Sequence, residues 1–103
     1  MSVGGQVRLD LNNAEFQGQL FELSKDDQRR VLLTLRKVAR MTWPQVYRDP
    51  GLKWEAILSR SGPDGHRVYS LRMSRSLRAT AYRDGDALRL LSLHPDHDSA
   101  YSR

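Results

Sequence analysis

A chain of 103 residues is long enough for one domain, spanning 1–103, with a modest core. It has no cysteine, which excludes disulfides and thiolate metal sites and fits a reducing compartment. Its net charge of +5 and pI near 10.1 point to a polyanionic partner, nucleic acid first. No apolar run approaches the roughly 18 residues of a membrane span, and the first residues lack a signal peptide's apolar stretch. The expectation is a soluble cytoplasmic protein without a membrane partner. Lysine occurs only at Lys25, Lys37 and Lys53, so arginine carries most of the positive charge. The guanidinium fork suits phosphate, although a GC-rich genome would produce the same bias.

The chain starts with a small, glycine-rich stretch from Met1 to Gly5. Val7, Leu9 and Leu11 alternate with Arg8 and Asp10, which predicts a short strand. Asn12 or Asn13 caps a helix that carries Phe16, Leu20 and Leu23 on one face. Ser24 ends that helix and caps the next. There Asp26 and Asp27 lie in the first turn and Lys37 and Arg40 near the end, matched to the helix dipole. Val31, Leu35 and Val38, flanked by Leu32 and Ala39, form its predicted buried stripe. Arg29, Arg30, Arg36 and Arg40 read most simply as a solvated outer face. With so short a break, the two helices form a hairpin.

Thr42-Trp43-Pro44 begins a short helical turn that Asp49-Pro50-Gly51 stops. Lys53 to Arg60 predicts a strand with Trp54, Ala56 and Leu58 on one face, and Ser61 to Gly65 a loop. Three more strands follow, from about Val68 to Ser74, Leu77 to Arg83 and Ala87 to His94. A first hairpin turning at Arg75 sets Arg72 across from Arg78. A second turning at Gly85, within Asp84-Gly85-Asp86, sets Arg78 across from Ser92, with His94 one step further on the same face. Leu77, Ala79, Leu91 and Leu93 then face the core, while Tyr82, Leu88 and Leu90 lie exposed on the basic side. Adjacent arginines repel, so their pairing makes sense under an anionic ligand. The predicted fold class is α+β, order β-α-α-β-β-β-β: a helical hairpin on one face of a curved antiparallel sheet.

In order and spacing, from Val7 to Tyr101, the chain resembles the RelE/ParE superfamily of toxin–antitoxin systems. Leu77-Arg78 looks like that family's aromatic/apolar-Arg strand opening, and Arg72 falls where its basic strand carries Lys or Arg. The ending HPDHDSAY is similar to its His-x-x-Tyr and His-Asp-x-x-Tyr termini. The resemblance implies a RelE-like toxin that acts on mRNA at the ribosome as an endoribonuclease and is neutralised by a cognate antitoxin. Tyr82, Leu88, Leu90 and the outer helical surface are its expected contacts with that antitoxin. The alternative is a ParE-like, non-catalytic inhibitor of DNA gyrase. Presence of Arg78, His94 and Tyr101 favours the ribonuclease branch. The two closely spaced lysines of some ribonuclease members are replaced here by Ser70 and Arg72.

RNA cleavage without a metal or other cofactor needs a base for the 2′-hydroxyl, an acid for the leaving oxygen and cations around the phosphorane. Imidazole, ordinarily titrating near pH 6.5, suits either proton role. Arginine does not deprotonate, so Arg72 and Arg78 are expected to clamp phosphate. A phenol, with an ordinary pKa of about 10, serves as a base only when cations favour its phenolate. The expected catalytic set is therefore Arg72, Arg78, His94 and Tyr101, with Tyr101 as base or stacking platform. Arg75 and His97 are expected to bind RNA, with His97 a second candidate for a proton role. Plain readings stay open: exposed strand arginines, a strand-end histidine bonded to backbone, a tyrosine packed on the sheet. His94, Asp96, His97 and Asp98 also supply metal-ligand types, but without HExxH spacing or a second cluster.

Overall fold

The computed structural model describes residues 5–95. Strand β1 (Arg8–Asp10) leads into helix α1 (Ala14–Glu22), α2 (Lys25–Ala39) and the short α3 (Trp43–Arg48). Strands β2 (Glu55–Ser61), β3 (Arg67–Arg72), β4 (Leu77–Asp84) and β5 (Ala87–Pro95) follow. The five-stranded sheet has the order β1-β5-β4-β3-β2. The fold class is α+β as expected, with one refinement. β1 adds to β5 in parallel, because its chain crosses the helical layer before returning, so the sheet is mixed.

The helix starts follow from their caps. The Asn13 side chain accepts from the Phe16 N–H, and the Ser24 hydroxyl from the Asp27 N–H. Thr42 and Gln45 form a capping box at α3. Gln28 Nε2 donates to the carbonyls of Leu20 and Phe21, bonding orphan acceptors at the end of α1. Phe16, Val31, Leu35 and Val38 bury one helical stripe against Leu71, Met73, Leu77, Ala79, Ala81, Leu88, Leu90 and Leu93 of the sheet. Leu32 does not join that stripe: it is exposed, one position round the helix from Val31. Thr34 donates to the Met73 carbonyl, pinning α2 to the β3–β4 hairpin.

At the other end, Trp43 is buried and its Nε1 donates to the Asp86 carbonyl. The Arg83 guanidinium lies 4.5 Å from the Trp43 ring centroid and donates to the Tyr47 hydroxyl. Trp54 stacks on Tyr69 at 4.6 Å. The other residues expected beside Trp54 are not covered: Ala56 is exposed and Leu58 is 81% exposed, since β2 is an edge strand outside the helical layer.

The register is decided at two places. The β3–β4 pairing sets Arg72 directly across from Arg78, as expected. The β4–β5 hairpin differs. Its loop is the two residues Gly85-Asp86, since Asp84 pairs with Ala87. Gly85 takes φ +63°, which a side chain adopts only at a cost. Leu90 then lies opposite Ala81 but Ser92 opposite Thr80, so β5 carries a bulge. Before the bulge Leu88 and Leu90 point to the core, 0% and 1% exposed; they are not on the basic face. Leu91, expected in the core, is the surplus residue and is half-buried. Beyond it alternation resumes with the opposite phase, Leu93 inward and Ser92 and His94 outward. His94 therefore faces Arg78 directly, where Ser92 was expected.

β1 is held to the sheet by charge as well as by its ladder. Arg89 Nη1 bonds the Asp10 carboxylate and Arg89 Nε the Asp84 carboxylate. The Asn12 N–H on its carboxylate, followed by the Arg89 guanidinium, lowers the Asp10 pKa despite partial burial. A depressed folded pKa means the stabilisation is full above the unfolded value, near 3.8, and is lost as pH falls through the folded one. The chain should lose stability on acidification below about pH 4, and Asp10→Asn should flatten that acid limb in urea titrations at several pH values. Core truncation reads the bulge directly. Leu90→Ala should cost about 2–5 kcal/mol in urea denaturation. Leu91→Ala should cost clearly less, and the reverse order would mean that β5 runs without the bulge.

Candidate active site

Two polar rows cross the face of the sheet turned away from the helices. One runs Glu55, Ser70, Thr80, Ser92 through successive pairings of β2, β3, β4 and β5. The next runs Arg72, Arg78, His94. Partners in register share a face, so the rows are a direct result of the ladder. Glu55, Arg60, Ser70, Arg78, Thr80 and His94 line one groove of about 560 Å³. Arg72 stands beside Arg78 but is not part of that lining.

Hydrogen bonds tie the rows together. Arg78 Nη2 donates to Ser70 Oγ at 2.6 Å and lies 3.7 Å from Glu55 Oε1. The Arg78 side chain is 16% exposed, so its charge acts on the groove with little screening. Thr80 Oγ1 and Ser92 Oγ are 2.5 Å apart, and Ser92 Oγ is 2.7 Å from His94 Nε2. Among the described residues, only Thr80 and Ser92 are polar and fully buried. Their hydroxyls satisfy each other and hold one ring nitrogen of His94, leaving Nδ1 as the nitrogen available to a ligand. Each hydroxyl is both donor and acceptor, so the chain can reverse direction when the imidazole gains or loses a proton. Gln19 supports the same strand from the helical side, its Oε1 accepting from the Leu93 N–H. β1 pairs β5 only as far as Arg89, and this side chain satisfies a backbone donor beyond that ladder.

No protein-family model matches the sequence, and no curated protein matches it. Solved structures match the fold, two of them at a TM-score above 0.5. One is the archaeal RelE–RelB complex of Pyrococcus horikoshii, at 17% identity and TM-score 0.62, over 87% of this chain and 94% of that one. The other is a conserved hypothetical protein of Helicobacter pylori, at 21% identity and TM-score 0.58, over 86% of this chain and 93% of that one. The chain has a RelE-like fold.

On that RelE-like fold, Arg72, Arg78 and His94 come together as one cross-strand row. Arg75 sits exposed in the β3–β4 hairpin loop, outside the groove lining. Tyr101 and His97 lie outside the described residues, as do Asp96 and Asp98 of the His/Asp cluster. Among the described residues, no group of His, Asp and Glu is placed to hold a metal. Sequence reasoning missed Glu55, Arg60, Thr80 and Ser92. Glu55 and Ser70 become groove residues only through the β2–β3 register, and no local signal gives that register. Ser92 and Thr80 were legible as outward-facing, but their contact depends on the bulge.

The hydroxyl pair makes a specific energetic demand. Ser92→Ala strands the buried Thr80 hydroxyl and should destabilise the protein by about 1–3 kcal/mol. Thr80→Val with Ser92→Ala removes both partners, so the double variant should cost less than the sum of the singles in thermal or urea denaturation. Additive losses would mean that the two hydroxyls do not bond.

Proposed function

We propose that the chain is the toxin of a toxin–antitoxin pair and that it cleaves mRNA on the ribosome by acid–base chemistry in the Arg78–His94 groove. The observation that carries this reading is the direct cross-strand pairing of Arg78 with His94 on the face free of helices. A fixed guanidinium and a proton-carrying imidazole side by side match the needs of a phosphodiester that must be charge-neutralised and attacked by its own 2′-hydroxyl.

In this mechanism Arg78, oriented by Ser70, grips a non-bridging oxygen and stabilises the charge that builds on the phosphorane. Arg72 adds a second cation beside it. His94, held through Nε2 by Ser92, moves a proton at Nδ1. Either His94 takes the 2′-hydroxyl proton and a second group protonates the leaving 5′-oxygen, or the roles are reversed. Tyr101 is our proposed partner in that exchange, and Glu55, on the far side of Arg78, is a second proton acceptor. Arg75 and His97 contact the RNA outside the reacting phosphate. No cofactor is required. The cognate antitoxin would cover a basic surface of this kind with acidic side chains. Of the contacts expected for it, Leu88 and Leu90 are excluded by their burial, leaving Tyr82 and the exposed helical residues.

Induced expression followed by mapping of transcript ends tests the reading. Translated messages should be cut, and stripping the purified protein of divalent metal by dialysis against a chelator, before it is added to programmed ribosomes in Mg2+ buffer, should not stop cleavage. His94→Ala should lower cleavage by about 10²–10⁴-fold. Arg78→Ala should lose a comparable amount of charge stabilisation. Intact mRNA together with an SOS response would instead identify a gyrase inhibitor.

A further inference from the structure

A third row crosses the open face of the sheet, one step beyond Thr80 and Ser92. Asp10 pairs with Arg89 across β1 and β5, and Arg89 with Tyr82 across β5 and β4. Tyr82 is four residues from Arg78 along β4, with Thr80 midway, so the three side chains share one face. Ala79 and Ala81, fully buried, take the other. Tyr82, Arg89 and Asp10 line a cavity of about 180 Å³ together with Asn12, Pro63 and Leu91. Leu91, the surplus residue of the β5 bulge, gives it an apolar wall.

The cavity is chemically unlike the Arg78 groove. Arg89 Nη1 bonds the Asp10 carboxylate and its Nε the Asp84 carboxylate, so its charge is already balanced. A phosphate placed there would gain little from Arg89 and would meet the Asp10 carboxylate. What remains is a phenol, a proline and a leucine, with the exposed Asn12 amide at the rim. Tyr82 is also held in place. The His66 ring packs on it at 4.8 Å between centroids, and His66 Nδ1 lies 2.8 Å from the Pro63 carbonyl, which orients that ring. Aromatic and apolar walls with an amide at the edge suit an uncharged heterocycle better than an anion.

We propose that the Tyr82 cavity is a nucleobase subsite, which takes an unstacked base from the RNA strand whose phosphate Arg78 grips. This inference rests on the reading of the groove given above. Tyr82 supplies the ring against which the base packs, and Asn12 an amide that both donates and accepts at a base edge. Four steps of β4 at about 3.3 Å each set Tyr82 roughly 13 Å from Arg78. A short oligonucleotide spans that distance along one face, so the base in the cavity flanks the cut. Phosphate contacts position a strand without reading it, whereas a base contact adds a preference. The groove handles the reacting phosphate and the cavity reads sequence beside it.

The test is single-turnover cleavage on programmed ribosomes at subsaturating protein, with messages that carry one abasic nucleotide at each position around the cut in turn. For the wild type, one position beside the cut should lower the rate by about 5- to 150-fold, the worth of one stacked base. Tyr82→Ala should lower the rate on intact message by a similar factor and lose nothing more at that one abasic position. Tyr82→Phe keeps the ring and should keep most of the rate. Tyr82→Leu, which keeps apolar bulk without a ring, replaces the alanine variant if that does not fold. A wild-type profile without such a position overturns this inference. So does a Tyr82→Ala loss that recurs in full at every abasic position, because the ring then serves the fold or the ribosome and no message base. Both results spare the groove reading while Arg78→Ala and His94→Ala still abolish cleavage. Messages left uncut by the wild type, or cut regardless of those two substitutions, remove the groove reading and the subsite with it.

Discussion

The bulge in β5 is the constraint on which the proposed chemistry depends. Ahead of it Leu88 and Leu90 point into the core; past it Ser92 and His94 point away. Strict alternation from Leu88 would turn His94 inward and Leu93 outward. A single surplus residue at Leu91 lets one strand bury leucines at both ends of its length and still present an imidazole to Arg78. β4 needs no such device, because Ala79 and Ala81 face inward and Arg78 and Thr80 outward throughout.

Like charges set side by side cost the sheet stability, and the molecule offsets this in stages. Glu55 lies beside Arg78, and the Ser70 hydroxyl accepts from its guanidinium. An ion pair with a carboxylate as exposed as Glu55 contributes little to stability. Its position matters more. It places an acceptor on one side of the guanidinium and leaves the His94 side of the groove without a carboxylate from the described residues. A neutral hydroxyl anchor fixes the direction of Arg78 without cancelling its charge.

The helical layer contributes rigidity at a distance. Thr34 pins the β3–β4 hairpin, Trp43 and Arg83 pin the β4–β5 turn, and Gln19 holds β5 just past its bulge. Each of these contacts lies on the face opposite the groove or at its ends. A site carried on strands supported in this way keeps its geometry better than one carried on loops. β2 is different. It is an edge strand, exposed along most of its length and bulged against β3, and it supplies the outermost charges, Glu55 and Arg60.

Local pattern in the sequence determined the order of the strands and of the two longer helices, the starts of α2 and α3, the buried stripe of Val31, Leu35 and Val38, and the pairing of Arg72 with Arg78. These depend on capping side chains and on short-range periodicity, which neighbouring residues carry by themselves. The outward sense of Ser92 and His94 was also legible, because alternation counted back from Leu93 suffices at that end of β5. What the sequence left open was how strands distant along the chain align. A two-residue loop at Gly85-Asp86 and a bulge at Leu91 together move β5 by two residues relative to a three-residue turn without a bulge. Parity on the far half therefore survived while Leu88, Leu90 and Leu91 exchanged places. Only tertiary packing could choose this register, because burying four leucines and alanines against Phe16 and Val31 outweighs a regular ladder. The same packing, and nothing local, brought Glu55 and Arg60 from β2 to the groove.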